Sequence, residues 1–199
     1  MDDIFKTITK VSKAIYTEKR SKFIAYAIPI QSVECVKTEL DKLRKEYYDA
    51  RHICWAYMLG ADRTDFRAND DGEPSGTAGK PILGQINSNE LTDILIAVIR
   101  YFGGIKLGTS GLFVAYREAA AIAISEAEIV EKTVDCNTSF SFEYPFMNDV
   151  MKIVKDLEPI ILNQSYDINC IMTLQIRKSL FDELKNRLSK VESLNFINE

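Results

Sequence analysis

At 199 residues with 46 % hydrophobic content, the chain has the size of one large or two small globular domains, and it holds no apolar run long enough to cross a membrane as a helix. The net charge is −4, with 17 basic and 18 acidic residues over 1–130 and 8 and 11 over 131–199, so a domain-wide basic footprint for nucleic acid is excluded. Cys35, Cys54, Cys136 and Cys170 lie far apart with no CxxC, and the start Met1-Asp2-Asp3-Ile4-Phe5-Lys6 does not read as a secretory signal. Reduced thiols in a cytoplasmic protein are the expectation. With one histidine, His52, no structural zinc site is expected.

Taken in chain order, Val11–Glu18 and Lys22–Ile30 read as two strands, with Lys19, Arg20 and Lys22 clustered at the hairpin between them. Ser32 is placed to cap a helix reaching about Tyr48, whose positions Val33, Val36, Leu40, Leu43 and Tyr47 form one apolar stripe. Ile53–Leu59 is a strand with large residues on one face and Cys54, Ala56 and Met58 on the other, which suits a closely packed helix. Residues 60–76 read as a polar loop. Thr77 or Gly79 then opens a helix toward Asn87, with Pro81 tolerated in its first turn. Leu91–Tyr101 contains the continuous apolar run Ile94–Ile99, a strand buried on both sides. Leu112–Ala127 is apolar nearly all round, hence a buried helix. This first unit reads ββαβαβα, an α/β sandwich.

The pattern changes near Val130, and the domain boundary is placed at 128–133, giving domains 1–130 and 131–199. Phe140, Phe142 and Tyr144 alternate with Ser139, Ser141 and Glu143, so one sheet face is wet. A helix over 146–157, strands over 160–166 and 170–176 around a turn at Asp167-Ile168-Asn169, a helix over 179–190 and a short strand over 193–197 complete a βαββαβ order, the ferredoxin-like pattern. The strand Cys170–Ile176 has neither an aromatic nor a basic residue, so base stacking on this sheet is not expected; docking or self-regulation suits it better.

All nine glycines fall between Gly60 and Gly111, most of them in two dense segments, 70–81 and 100–111. Glycine inside a regular element is costly, so this concentration marks backbone that turns sharply or is closely approached. Around it stand Asp70, Asp71, Glu73, Thr77, Lys80, Arg100, Lys106, Thr109, Ser110 and Gly111, the candidate binding residues. Gly79-Lys80 is no phosphate loop, because Pro74 and Pro81 occupy the positions of the first glycine and of the Ser or Thr. Gly108-Thr109-Ser110-Gly111 at a helix start suits an anion, with Lys106 and Arg100 nearby, or is a plain strand-to-helix turn. Neither Ser75 nor Ser110 sits in a nucleophile elbow, since the last glycine of GxSxG is missing at both. Asp70, Asp71 and Glu73 are better suited to ion pairs with Lys80, Arg100 or Arg117 than to a metal, and no metal or cofactor is expected. Lys19, Arg20, Lys22 and Arg51 are candidate RNA contacts, or a charged edge that guards a hairpin.

The two glycine segments, together with Arg51-His52-Ile53-Cys54-Trp55-Ala56-Tyr57 and Lys19-Arg20-Ser21-Lys22-Phe23-Ile24-Ala25, resemble the IMPACT/YigZ family in its bacterial two-domain form, and the resemblance runs the whole chain. It implies an α+β protein: a ribosomal-protein-like first domain, similar to domain IV of elongation factor G, and a ferredoxin-like second domain similar to that factor's C-terminal domain. Eukaryotic members regulate translation under amino-acid starvation by binding the activator of the kinase that phosphorylates initiation factor 2. The family brings no catalytic residues. Two positions depart from its pattern: Ser110 replaces a usual glycine, and Phe113-Val114 a usual Val-Arg, which removes one basic group beside the loop.

The function expected is a cytoplasmic, translation-linked regulatory binding protein acting through RNA, the ribosome, or a translation-factor or kinase partner, with no membrane contact. The alternative is an enzyme acting on a phosphorylated or peptide substrate at the glycine-rich loops.

Overall fold

The computed structural model describes residues 3–167 and 169–197; Ile168, in the turn expected at 167–169, lies outside the described residues. Contacts divide the chain into two compact units, a first of residues 5–132 and a second formed by 133–197 with the N-terminal residues up to Ile4.

The first unit is built on a five-stranded sheet of β2 (Ser12–Glu18), β3 (Ser21–Pro29), β4 (His52–Leu59), β5 (Asp65–Asn69) and β6 (Ile94–Tyr101), in the order β2-β3-β6-β4-β5. Every neighbouring pair is antiparallel. Both faces are nevertheless covered, which explains the continuous apolar run of β6. On one face Ile24, Ile28, Ile53, Tyr57 and Leu95 pack against helix α1 (Val33–Glu46). On the other, the small residues Ala25, Ala27, Cys54 and Ala56 admit α2 (Gly79–Ser88) and α3 (Gly108–Ser125). Ser32 caps α1 by accepting the Cys35 backbone N–H at 3.3 Å. A two-stranded sheet pairs β1 (Ile4–Ile8) with β7 (Ile129–Thr133).

Residues 60–76 are not loop throughout. Asp65–Asn69 form β5, an edge strand held by the ladder to β4 and exposed along most of its length. Its charged, unalternating sequence carries no burial signal because its side chains stay largely exposed. β1 and β7 were equally hidden: both are only five residues long, and β7 is largely exposed.

The second unit runs β8 (Asp135–Phe142), α4 (Met147–Leu157), β9 (Ile160–Tyr166), β10 (Cys170–Arg177), α5 (Lys178–Leu188) and β11 (Asn195–Ile197), with strand order β11-β8-β10-β9. Phe140, Phe142, Met172 and Leu174 face the helices, meeting Val150, Ile153 and Leu184. Ser139 and Thr173 share a 2.9 Å hydrogen bond on the opposite face. The alternation ends at Phe142: Tyr144 begins a single 3-10 turn and is 69 % exposed. Asp3 is buried in this unit, where Arg177 Nε and Nη2 donate to its carboxylate at 2.6–2.8 Å and the Ser179 backbone N–H adds a bond at 2.9 Å. The Arg177 guanidinium beside Asp3 holds its carboxyl well below the usual carboxylate range.

Candidate functional site

The first glycine segment leaves β5 and enters α2, and its carboxylates build the turn. Asp70 accepts the backbone N–H groups of Gly76, Ala78 and Gly79 at 2.8–2.9 Å, supplying the acceptor that the start of α2 lacks locally. Burial alone would raise its pKa, yet these three bonds together hold it below the ordinary value. Asp71, at φ +42°, takes the guanidinium of Arg44 on one oxygen at 2.8 Å and the Ile53 backbone N–H on the other at 2.7 Å. Thr77 is buried and its hydroxyl donates to the Pro74 carbonyl at 2.6 Å. Gly79 is required by close approach, since a Cβ there would stand 2.7 Å from the Asn69 backbone nitrogen.

Glu73 differs from its acidic neighbours in joining the two glycine segments. Its side chain is 4 % exposed, and Oε1 accepts from Arg100 Nη1 at 2.6 Å and from the Tyr116 hydroxyl at 2.9 Å. The Cys54 thiol lies 3.3 Å from the same hydroxyl and 3.0 Å from the Asp70 carbonyl oxygen. Burial pushes both the Tyr116 phenol and the Cys54 thiol well above their ordinary values, so neither ionises near neutral pH. The Arg100 guanidinium is flanked by the rings of Phe23 and Phe102, each 5.7 Å from its central carbon. The ion pair between the segments is therefore the one to Arg100; among the described residues Lys80 and Arg117 make none with Glu73.

The second segment follows β6 and turns into α3. Gly103 packs directly on the β2–β3 turn: an added Cβ would lie 2.0 Å from the Arg20 carbonyl carbon, and its N–H donates to Ser21 Oγ at 3.2 Å. Gly104 and Gly108 adopt φ of +86° and +72°, and no side chain caps the N-terminus of α3.

Between these parts lies a cleft of about 580 Å³. One wall is Asp49, Arg51 and His52 at the start of β4; another is Glu73 with Pro74. The rest is the end of β6, Arg100–Phe102, and the entry to α3, Lys106 to Thr109 with Leu112. Asp49 accepts the Tyr101 hydroxyl at 2.6 Å, and this bond pushes the phenol up to about 12. His52 Nδ1 lies 2.8 Å from the Asp71 carbonyl oxygen. A carbonyl only accepts, so in the neutral ring Nδ1 carries the proton and Nε2 is the bare nitrogen.

Of the residues singled out in the sequence, Glu73, Arg100, Lys106 and Thr109 meet in this cleft, and Arg51 joins them. Asp70, Asp71 and Thr77 turn into the backbone of their own loop. Ser110 and Gly111 lie in the first turn of α3, and Lys80 is exposed in the first turn of α2. Lys19 and Arg20 occupy the β2–β3 turn at positive φ and, with Lys22, stand outside the cleft lining. The sequence reading missed Asp49, Tyr101 and Phe102 as lining groups and Tyr116 and Cys54 as partners of Glu73. Tyr116 is one of many apolar-face positions on α3, and nothing in its spacing distinguishes its hydroxyl. Among the described residues no group of three or more His, Cys, Asp or Glu is arranged to hold a metal ion, and no helix is long and apolar enough to cross a membrane.

Comparison with known proteins gives a consistent picture. The family model described as the Impact N-terminal domain matches residues 19–124. The "IMPACT family member" of Haemophilus influenzae is 34 % identical over 183 residues, covering 88 % of this chain and 86 % of its own. The "IMPACT family member YigZ" of Escherichia coli is 32 % identical, covering 86 % and 85 %. A solved structure described as "Crystal structure of an hypothetical protein" superposes with a TM-score of 0.74 at 28 % identity, covering 100 % of this chain and 98 % of its own.

Proposed function

The chain belongs to the IMPACT family, and from that premise we propose that it is a translation-linked regulatory binding protein acting through RNA, the ribosome, or a translation-factor or kinase partner. The observation that carries the binding reading is the cleft over Glu73 and Arg100. Its carboxylates are committed to the fold: Glu73 to Arg100 and Tyr116, Asp49 to Tyr101. Arg51, Lys106 and the uncapped start of α3 are left facing an incoming partner, and all three favour negative charge. The finer fold assignments belong to the same reading. The βαββαβ order of the second unit, with strands β11-β8-β10-β9, supports a ferredoxin-like domain, and the sandwich of the first supports likeness to domain IV of elongation factor G.

One observation favours the enzymatic alternative, in which a phosphorylated or peptide substrate reacts at the loops. His52 lines the cleft with its Nδ1 fixed on a carbonyl, which orients a ring that could take a proton on Nε2. The test of the regulatory reading is capture of partners by the intact protein, with and without ribonuclease. Retention of ribosomal components that ribonuclease removes supports action through RNA. Ribonuclease-resistant retention of a translation factor or kinase supports a protein partner. Recovery of neither contradicts the reading.

A further inference from the structure

We propose that the cleft is a site for a phosphate monoester on a ligand that also bears a planar ring, as in a nucleoside monophosphate or the phosphorylated end of an RNA strand. The inference goes beyond the regulatory reading, because the cleft can take such a group whether or not the protein acts on the ribosome.

The first observation is the entry to α3. This helix of 18 residues begins without a side-chain cap, so its first N–H groups have no acceptor from a side chain. Thr109 lies in that first turn and Lys106 two residues before it, both exposed and both on the cleft wall. The second observation is independent of the helix. Arg100 reaches the same cleft from β6, its side chain is 9 % exposed, and its Nε is buried with no hydrogen-bond partner among the described residues. Glu73 engages only Nη1. With a single nitrogen held by a carboxylate, this guanidinium keeps positive charge to offer an anion at the cleft wall.

The donor set selects the anion. Backbone N–H groups, a hydroxyl, an ammonium and a guanidinium approach from different elements. A planar carboxylate has two oxygens in one plane, whereas a phosphate monoester offers three terminal oxygens in a tetrahedral array. The ring is selected by Phe102. One face of it lies toward Arg100, yet the residue is 57 % exposed, which leaves a stacking surface beside Tyr101. The volume of about 580 Å³ suits a body of nucleotide size.

Calorimetric titration of the full chain tests this with inorganic phosphate, adenosine, adenosine monophosphate, and a short oligoribonucleotide with either a 5′-phosphate or a 5′-hydroxyl. Adenosine monophosphate should bind at least about tenfold more tightly than adenosine, because the charge-assisted bonds are lost with the phosphate. Lys106→Ala and Thr109→Ala, both at exposed positions, should each weaken it by about fivefold or more, while Phe102→Ala should weaken the nucleotide and leave inorganic phosphate unchanged. Tighter binding of the free nucleotide than of the 5′-phosphorylated strand identifies a nucleotide site, and the reverse identifies an RNA end; either supports the proposal. It is overturned if adenosine and its monophosphate bind alike, if acetate displaces the nucleotide better than phosphate does, if folded Lys106→Ala and Thr109→Ala variants bind as the parent does, or if no ligand binds at about 1 mM.

Discussion

Gly103 and Gly84 assign opposite values to a single added methyl group. At Gly103 a Cβ would collide with the Arg20–Ser21 backbone at 2.0–2.3 Å, and backbone cannot swing aside. Gly103→Ala should therefore destabilise the first unit by about 2 kcal/mol or more, as overpacking does. Gly84 sits inside α2 with nothing within 4 Å of its missing Cβ, so Gly84→Ala should stabilise by about 0.5–1 kcal/mol. Thermal melts of the two variants check both signs. Asp3 sets an acid limit. Its pKa is depressed in the folded state, so its contribution is present above the unfolded value of about 3.9 and is lost as pH falls toward the folded one. Asp3→Asn should lower the melting temperature at pH 7 and lower it progressively less as pH falls from about 4 to 2; equal losses across that range would show that the ion pair is not the cause. At this scale the sequence was informative about where backbone is special. The crowding of glycine into 60–111 pointed to Gly79 and Gly103, both of which lie against another segment's backbone. It was silent on the reason, because the approaching atoms belong to Asn69 and to Arg20, near and far along the chain.

Three elements of the first unit meet through one buried carboxylate. Glu73 comes from the loop before α2, Arg100 from β6 and Tyr116 from α3. Arg100→Ala would leave Glu73 buried and unpaired, and such losses cost about 3–5 kcal/mol. Tyr116→Phe keeps the ring on Phe23 and removes one hydrogen bond, so it should cost only about 1–2 kcal/mol. Chemical denaturation of the two variants checks the order, and a larger loss for Tyr116→Phe would mean that the hydroxyl, through Cys54, holds the loops. Elements with a buried face were legible: the stripe of α1, the double-sided run of β6 and the Phe140–Phe142 alternation all follow from where water is excluded. β5 was not, since an exposed edge strand held mainly by its backbone ladder writes no pattern in side chains. The cleft was half legible for the same reason. Charges beside glycine announced Glu73, Arg100 and Lys106, whereas Asp49 and Phe102 join it only because β4 and β6 are neighbours in the sheet.

On the scale of the molecule, charge separates with the units. Residues 5–132 carry 18 basic and 17 acidic groups, a net of +1, and the remainder carries 7 and 12, a net of −5. A fragment of residues 5–132 should be soluble and melt cooperatively, and freed of the acidic unit it should bind a polyanion as well as the intact chain or better. Any RNA affinity should be weak and electrostatic: three to five cations give a slope of log affinity against log salt of roughly −2 to −4 on single strands. We infer that this protein acts in translation by presenting the cleft to a partner. The most direct test is sedimentation of the purified intact protein with purified ribosomes at about 50 mM salt, alongside Lys106→Ala combined with Arg51→Ala. Parent protein in the ribosomal fraction and the double variant left at the top of the gradient is the predicted result. Parent and variant sedimenting alike, or neither entering the fraction, would contradict it.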